Sequence, residues 1–209
     1  TSAITPSDHP GLRVRIGNVC KGLPVLINKY NSTAAAYRLV PENGVCTLFL
    51  GIYGTHTSPT QTIDTGVPNG TYNIGNPFIP GGLIVGRDLL TFAAHFRKNG
   101  TSGVNCTHAV YLGTNNSTSD SSILADSTAT ASDDHDVYAA VDVSIGSTTA
   151  LITNAGSNLG VGKGASMRLE RTTAINFAND LYISAHCGGK SVSDTTNLLF
   201  LSVIWRATE

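Results

Sequence analysis

Apolar and polar positions alternate in short runs from one end of the chain to the other. In Leu12-Arg13-Val14-Arg15-Ile16 the alternation is strict, so one face of the segment is buried and the other wet. Val25-Leu26-Ile27 follows across a short Lys21-Gly22-Leu23-Pro24 connection, a spacing that predicts an antiparallel hairpin. Similar runs span Tyr37 to Val40, Val45 to Tyr53, His108 to Leu112, Val137 to Ile145, Ala150 to Thr153, Met167 to Leu169, Leu181 to Cys187 and Leu198 to Trp205. Each is rich in β-branched or aromatic residues and is closed by turn residues such as Pro41-Glu42-Asn43-Gly44 or Gly188-Gly189. The pattern predicts an all-β fold, an antiparallel β-sandwich of about eight to ten strands.

One segment departs from it. After Asp88, placed as an N-cap, Leu89, Leu90, Phe92, Ala93 and Phe96 fall at helical spacing, and Arg97, Lys98 and Gly100 close the run. That spacing predicts a short helix. Thr55 to Gly82 and Gly113 to Asp136 read as long polar loops, the places where binding is commonly done. No linker, composition shift or fixed-period repeat divides the chain, so residues 1-209 read as a single domain.

Charge narrows the choice of partner. Charged residues are 13% of the 209, and the formal net charge is -1. Such a balance does not attract a phosphate backbone or an anionic bilayer, so neither a nucleic-acid partner nor membrane insertion is expected. No stretch approaches the roughly 18 unbroken apolar residues of a membrane helix. The chain opens at Thr1 without a leader-like segment and reads as a C-terminal fragment of something longer.

The chemical motifs mostly fail at a required position. Cys20, Cys46, Cys106 and Cys187 form no C-x-x-C pair and sit in strand-like surroundings, which predicts buried thiols rather than a zinc or redox site. Gly156-Ser157-Asn158-Leu159-Gly160-Val161-Gly162-Lys163-Gly164 looks like a phosphate loop, but Gly164 stands where a magnesium-holding hydroxyl is needed. No G-x-S-x-G elbow supports a nucleophile, and Ser166 reads as a strand or turn residue. Asp133, Asp134, His135 and Asp136 could bind calcium, although a solvated loop before the Val137 strand explains them as well. His9, His56, His95, His108, His135 and His186 show no paired zinc-ligand spacing and read as structural. Asn31, Asn69, Asn99, Asn105, Asn115 and Asn116 head glycosylation triplets in expected turns or loops. No catalytic residue, metal or cofactor is expected.

The two ends of the chain resemble the head domain of adenovirus fibre proteins. Thr5-Pro6-Ser7-Asp8-His9-Pro10 is similar to the T-P-D-P-S-P segment that opens those heads. Leu12 to Gly22 is similar to the L-T-L-V-L-T-K-C-G strand that follows, and Leu23 to Ile27 to the next strand. Leu201-Ser202-Val203-Ile204 with Ala207 and Glu209 resembles the F-S-Y-I-A-Q-E ending. Thr1-Ser2-Ala3-Ile4 departs from the T-L-W-T junction of mammalian virus fibres, which points to a divergent fibre of an avian or reptilian virus.

The resemblance implies a homotrimeric, non-enzymatic attachment head on the virion surface, assembled in the host nucleus. Its partner would be a host cell-surface receptor, either protein or sialylated glycan. Ser7, Asp8, His9 and Pro10 occupy the place of the family's receptor loop and are the expected contact residues, together with loops around Arg97-Lys98 or Thr114 to Asp120. The alternative is a secreted carbohydrate-binding β-sandwich that stacks exposed Tyr or Trp rings on sugar. Trp205, placed in an apolar terminal strand as packing, weakens that alternative.

Overall fold

The computed structural model describes residues 11, 13–15, 25–31, 36–52, 60–62, 69–72, 74–99, 106–128, 135–145, 149–153, 171–188 and 195–208. These residues form strands and turns without a helix. The strands are, in order, β1 (Arg13–Arg15), β2 (Val25–Asn31), β3 (Ala36–Pro41), β4 (Val45–Ile52), β5 (Thr60–Thr62), β6 (Asn69–Thr71), β7 (Phe78–Ile79) and β8 (Leu89–Asn99). They continue with β9 (Cys106–Gly113), β10 (Ser121–Thr128), β11 (His135–Ile145), β12 (Thr149–Thr153), β13 (Arg171–Ala174), β14 (Leu181–Gly188) and β15 (Thr195–Arg206). All pairings are antiparallel, so the expected all-β class holds.

Two sheets face each other across the core. The larger runs β13-β12-β11-β8-β15-β4, with β5 on the far end of β15. The smaller runs β10-β9-β14-β6, with β7 on β14. A third sheet, β1-β2-β3, contains the expected hairpin-like pairing, Arg13 opposite Ile27 and Arg15 opposite Val25. From the larger sheet Leu90, Phe92 and Phe96 point inward, as do Leu198, Leu201, Val203 and Trp205. From the smaller sheet Val110, Leu112, Ile183, Ala185 and Cys187 meet them. The Phe96 and His108 rings stack 4.8 Å apart, and the Tyr72 hydroxyl donates to Thr196 Oγ1 at 2.7 Å, so both apolar and polar contacts span the gap.

The expected helix after Asp88 is instead β8. Its fully buried residues are Leu90, Phe92, Ala94 and Phe96, a period of two rather than 3.6. The helical reading came from counting Leu89 and Ala93, which lie on the other face. With β11 on one side and β15 on the other, the β8 backbone donors are satisfied between strands, and that ladder overrides the helix propensity of Leu and Ala. A register shift between Leu198 and Phe200 lets Leu198 and Leu201 both reach the core.

The two expected long loops also contain strands. β5, β6 and β7 lie within Thr55 to Gly82, and β10 lies within Gly113 to Asp136. The turn from β9 into β10 is closed by Asp120, whose carboxylate accepts the backbone N–H groups of Asn115 and Ser117 and the Asn115 side-chain amide. A Cβ at Gly113 would overlap that carboxylate, so the turn needs glycine there. Asn31, Asn69 and Asn99 stand at strand ends rather than in loops, and Asn105 lies outside the described residues.

Candidate functional site

The β1–β3 sheet is fastened to the sandwich by one buried carboxylate. Asp88 precedes β8 in a turn whose backbone is fixed by Ile145: the Arg87 N–H donates to Ile145 O at 2.7 Å, and the Ile145 N–H donates to Asp88 O at 3.0 Å. The Asp88 side chain is wholly buried. Its Oδ2 accepts from Arg38 Nη2 at 2.7 Å, Trp205 Nε1 at 3.0 Å and the Val85 N–H at 3.2 Å. Its Oδ1 accepts from Arg38 Nη2 and the Thr208 N–H, both at 3.0 Å, and from the Thr208 hydroxyl at 3.4 Å. An isolated carboxylate would be costly in such a place; six donor contacts, two of them from one guanidinium, make it tolerable.

Each partner arrives from a different part of the chain. Arg38 comes from β3, Trp205 from β15 and Thr208 from the segment just beyond it. The Arg38 guanidinium carbon lies 5.9 Å from the centre of the Trp205 ring, close enough for a cation–π contact. The Ala207 N–H donates to Gly44 O at 2.9 Å, and Gly44, at φ +74°, closes the turn between β3 and β4.

Beside this clasp opens a pocket of about 200 Å³ whose lining includes Lys29, Tyr30, Arg38, Val40, Ala207 and Thr208. Lys29 and Arg38 are directly opposed in the β2–β3 ladder, so two cations share one face of the pocket wall. Tyr30 is 57% exposed. Arg38 gives only Nη2 to Asp88, while its Nε and Nη1 are buried without a hydrogen-bond partner.

The receptor segment expected from the sequence, Ser7, Asp8, His9 and Pro10, lies outside the described residues, as do Asp133, Asp134, the Gly156 to Gly164 run, Ser166, Met167 to Leu169, Cys20 and His56. Arg97 and Lys98 belong to β8, not to a loop, because β11 and β15 pair with that end of the strand. His135 and Asp136 open β11 opposite them, so the acidic stretch reaches into a strand rather than staying a solvated loop. Thr114 to Asp120 is the Asp120-closed turn. Among the described residues no group of three or more His, Cys, Asp or Glu could hold a metal ion. Cys46 and Cys187 carry thiols, Cys187 within the core. Trp205 is buried, the packing role expected of it.

Histidine and serine also meet on β14. His186 Nε2 lies 3.0 Å from Ser184 Oγ, and the Tyr111 ring stands edge-on to the imidazole at 5.2 Å. Burial lowers the His186 pKa from its ordinary value, against the smaller raising effect of the Asp120 carboxylate. Ser184 and His186 are 2% and 5% exposed, which closes this pair to any substrate.

The sequence missed the residues of the clasp. Asp88 read as a helix cap and Arg38 only as part of the Tyr37 to Val40 run; the available signal was a single acid directly before a long apolar run.

No family model and no curated protein matches the chain. Among solved structures it is similar to the CBM2 module of the evolved Dit of Lactobacillus casei BL23 phage J-1, at 10% identity and a TM-score of 0.41 over 79% of this chain and 98% of that one. It is also similar to the lectin UEA-II complexed with galactose, at 10% identity and a TM-score of 0.37 over 79% and 94% of the two chains. The infectious bursal disease virus VP2 subviral particle matches at 10% identity and a TM-score of 0.31, over 77% of this chain and 32% of that one. Likenesses this distant carry no argument about what the chain binds.

Proposed function

We propose that the chain is a non-enzymatic attachment head, a β-sandwich that binds a host cell-surface receptor and associates as a homotrimer in the manner of adenovirus fibre heads. The observation that carries this reading is the meeting of the two segments on which the resemblance rests. β1 and β2 belong to the sheet that Arg38 fastens to Asp88, and the segment after β15 binds the same carboxylate through Thr208. Two matches at opposite ends of the sequence therefore form one structural unit. Association is supported by β4, which ends the larger sheet among the described residues and leaves Val45 and Ile52 50% and 74% exposed. Light scattering on the purified chain tests the assembly, with a trimeric mass expected; a monomer at every concentration would overturn it. Competition between the chain and virus for susceptible cells tests the attachment.

A second reading, a carbohydrate-binding β-sandwich, is favoured by rings on the outer face of the smaller sheet. There the half-buried Phe78 and Tyr182 lie 6.1 Å apart, and Tyr111 neighbours His186 one strand away. Under that reading, replacing Tyr182 with Ala abolishes retention on a polysaccharide column without changing the assembly.

A further inference from the structure

An antiparallel sheet with one face in water alternates apolar with polar residues, whereas a strand that is apolar throughout belongs to a sheet covered on both faces. β15 is of the second kind: Leu198 to Trp205 reads LLFLSVIW, broken by one serine. Leu201, Val203 and Trp205 point into the core, which leaves Phe200, Ser202 and Ile204 on the outer face of the larger sheet. There Phe200 stands between Ile52 of β4 and His95 of β8, and Ile204 between Thr47 and Thr91. Val45 and Ile52 on this face are 50% and 74% exposed, and Leu50, Phe200, Ile204 and Leu89 are partly exposed. Within these three strands charge is confined to the ends, at Arg97 and Lys98 of β8 and Arg206 of β15.

The chemistry of the strip selects its cover. It has few hydrogen-bonding side chains and no central charge, so it does not suit a glycan or a phosphate. It resembles a domain core cut in half, the mark of a contact between chains that fold and stay together. The partner present whenever this chain folds is another copy of it. Three strands about 4.8 Å apart and eight residues of about 3.4 Å rise make the strip roughly 400 Å², half of the roughly 800 Å² each partner gives to a stable interface. A two-fold pair would bury this strip alone. In a closed ring each copy presents the strip to one neighbour and a second patch to the other, and β4, which ends the larger sheet among the described residues, supplies that patch as an edge. We propose that the outer face of β4, β15 and β8 is the contact through which copies of this chain pack on one another. The inference rests on the reading of the chain as a homotrimer and names the surface that assembly would use.

Light scattering over a concentration series tests it on the whole chain, on the double variant Val45→Lys, Ile52→Lys and on Tyr30→Lys, a control at a 57% exposed position of β2. The unmodified chain and the control are expected to share one oligomeric mass. The double variant should need about a hundredfold higher concentration or more to reach it, because two lysines would lose their water inside the contact. Circular dichroism separates lost assembly from lost fold; should the double variant not fold, Ile52→Lys alone decides, since that position is already 74% exposed. A trimer that the lysines leave intact overturns this face and leaves the trimeric reading standing. A dimer that they dissociate does the reverse. A monomer at every concentration overturns both.

Discussion

Two of the polar clusters buried among the described residues handle charge in opposite ways. At Asp88 a buried salt bridge is held in place, because β3, the turn before β8, β15 and the segment behind β15 all send donors to it. At His186 the polar neighbours include Ser184, two residues along the same strand, and the edge of the Tyr111 ring, and burial lowers the imidazole pKa against the smaller effect of Asp120. A buried charge survives where several chain segments converge on it; where burial outweighs a nearby charge, the neutral form is favoured. The first cluster therefore joins distant parts of the molecule, and the second leaves the sheet able to respond to pH.

The sharpest way to break this contrast is to remove the carboxylate. Asp88→Ala leaves Arg38 buried without a counter-charge and strands the donors of Trp205, Val85 and Thr208, so a loss of about 3 to 5 kcal/mol in urea unfolding is expected. Adding Arg38→Met should restore part of that loss, since the unpaired cation goes but the other donors remain without an acceptor. A single variant that unfolds at the midpoint of the unmodified chain would show that the clasp does not hold the β1–β3 sheet in place.

A glycine tests the support beneath the second cluster. The Asp120 carboxylate that acts on His186 is held by Asn115 and Ser117, and it occupies the space where a side chain at position 113 would sit. Gly113→Ala must displace it, with an expected cost of about 1 to 3 kcal/mol, the range for a forced fit in a packed site. Thr118→Ala, at an exposed position of the same turn and away from that overlap, serves as the control and should shift the unfolding midpoint by less. Equal midpoints for the two variants would mean that the turn relaxes freely.

How far each cluster could be read from the sequence follows from the same physics. Strands such as β4, β14 and β15 bury enough side chains to be recognised by their apolar runs. β5, β6 and β13 read TQT, NGT and RTTA; nothing in those letters requires a strand, and pairing with β15, β14 and β12 supplies the structure. β8 was misread because its opposite face carries the apolar Leu89 and Ala93, which blurs a period of two into one of 3.6. Arg38 and Asp88 were visible as residue types, but their pairing spans 50 positions, and the Thr208 contact spans 120. Spacing carries no information about contacts so distant, and the expected receptor segment, Ser7 to Pro10, lies outside the described residues.

The smallest effect expected is that of pH on the second cluster. Because burial lowers the His186 pKa in the folded chain, the unfolded chain binds a proton there that the folded chain refuses. Above the unfolded value of about 6.5 neither state is protonated at this residue and the stability is fully present. As pH falls through 6.5 towards the lowered folded value, stability is lost at no more than about 1.4 kcal/mol per pH unit, and below the folded value the loss stops growing. Other groups titrate in the same window, so the readout is a difference: urea unfolding at pH 7.5 and pH 5.5 (about one unit either side of the unfolded value) for the chain and for His186→Gln. The variant is expected to lose less stability on acidification, because glutamine cannot take up the proton while still reaching Ser184. Equal losses in the two proteins would mean that His186 is protonated in the fold, and that the Asp120 charge outweighs the burial of the ring.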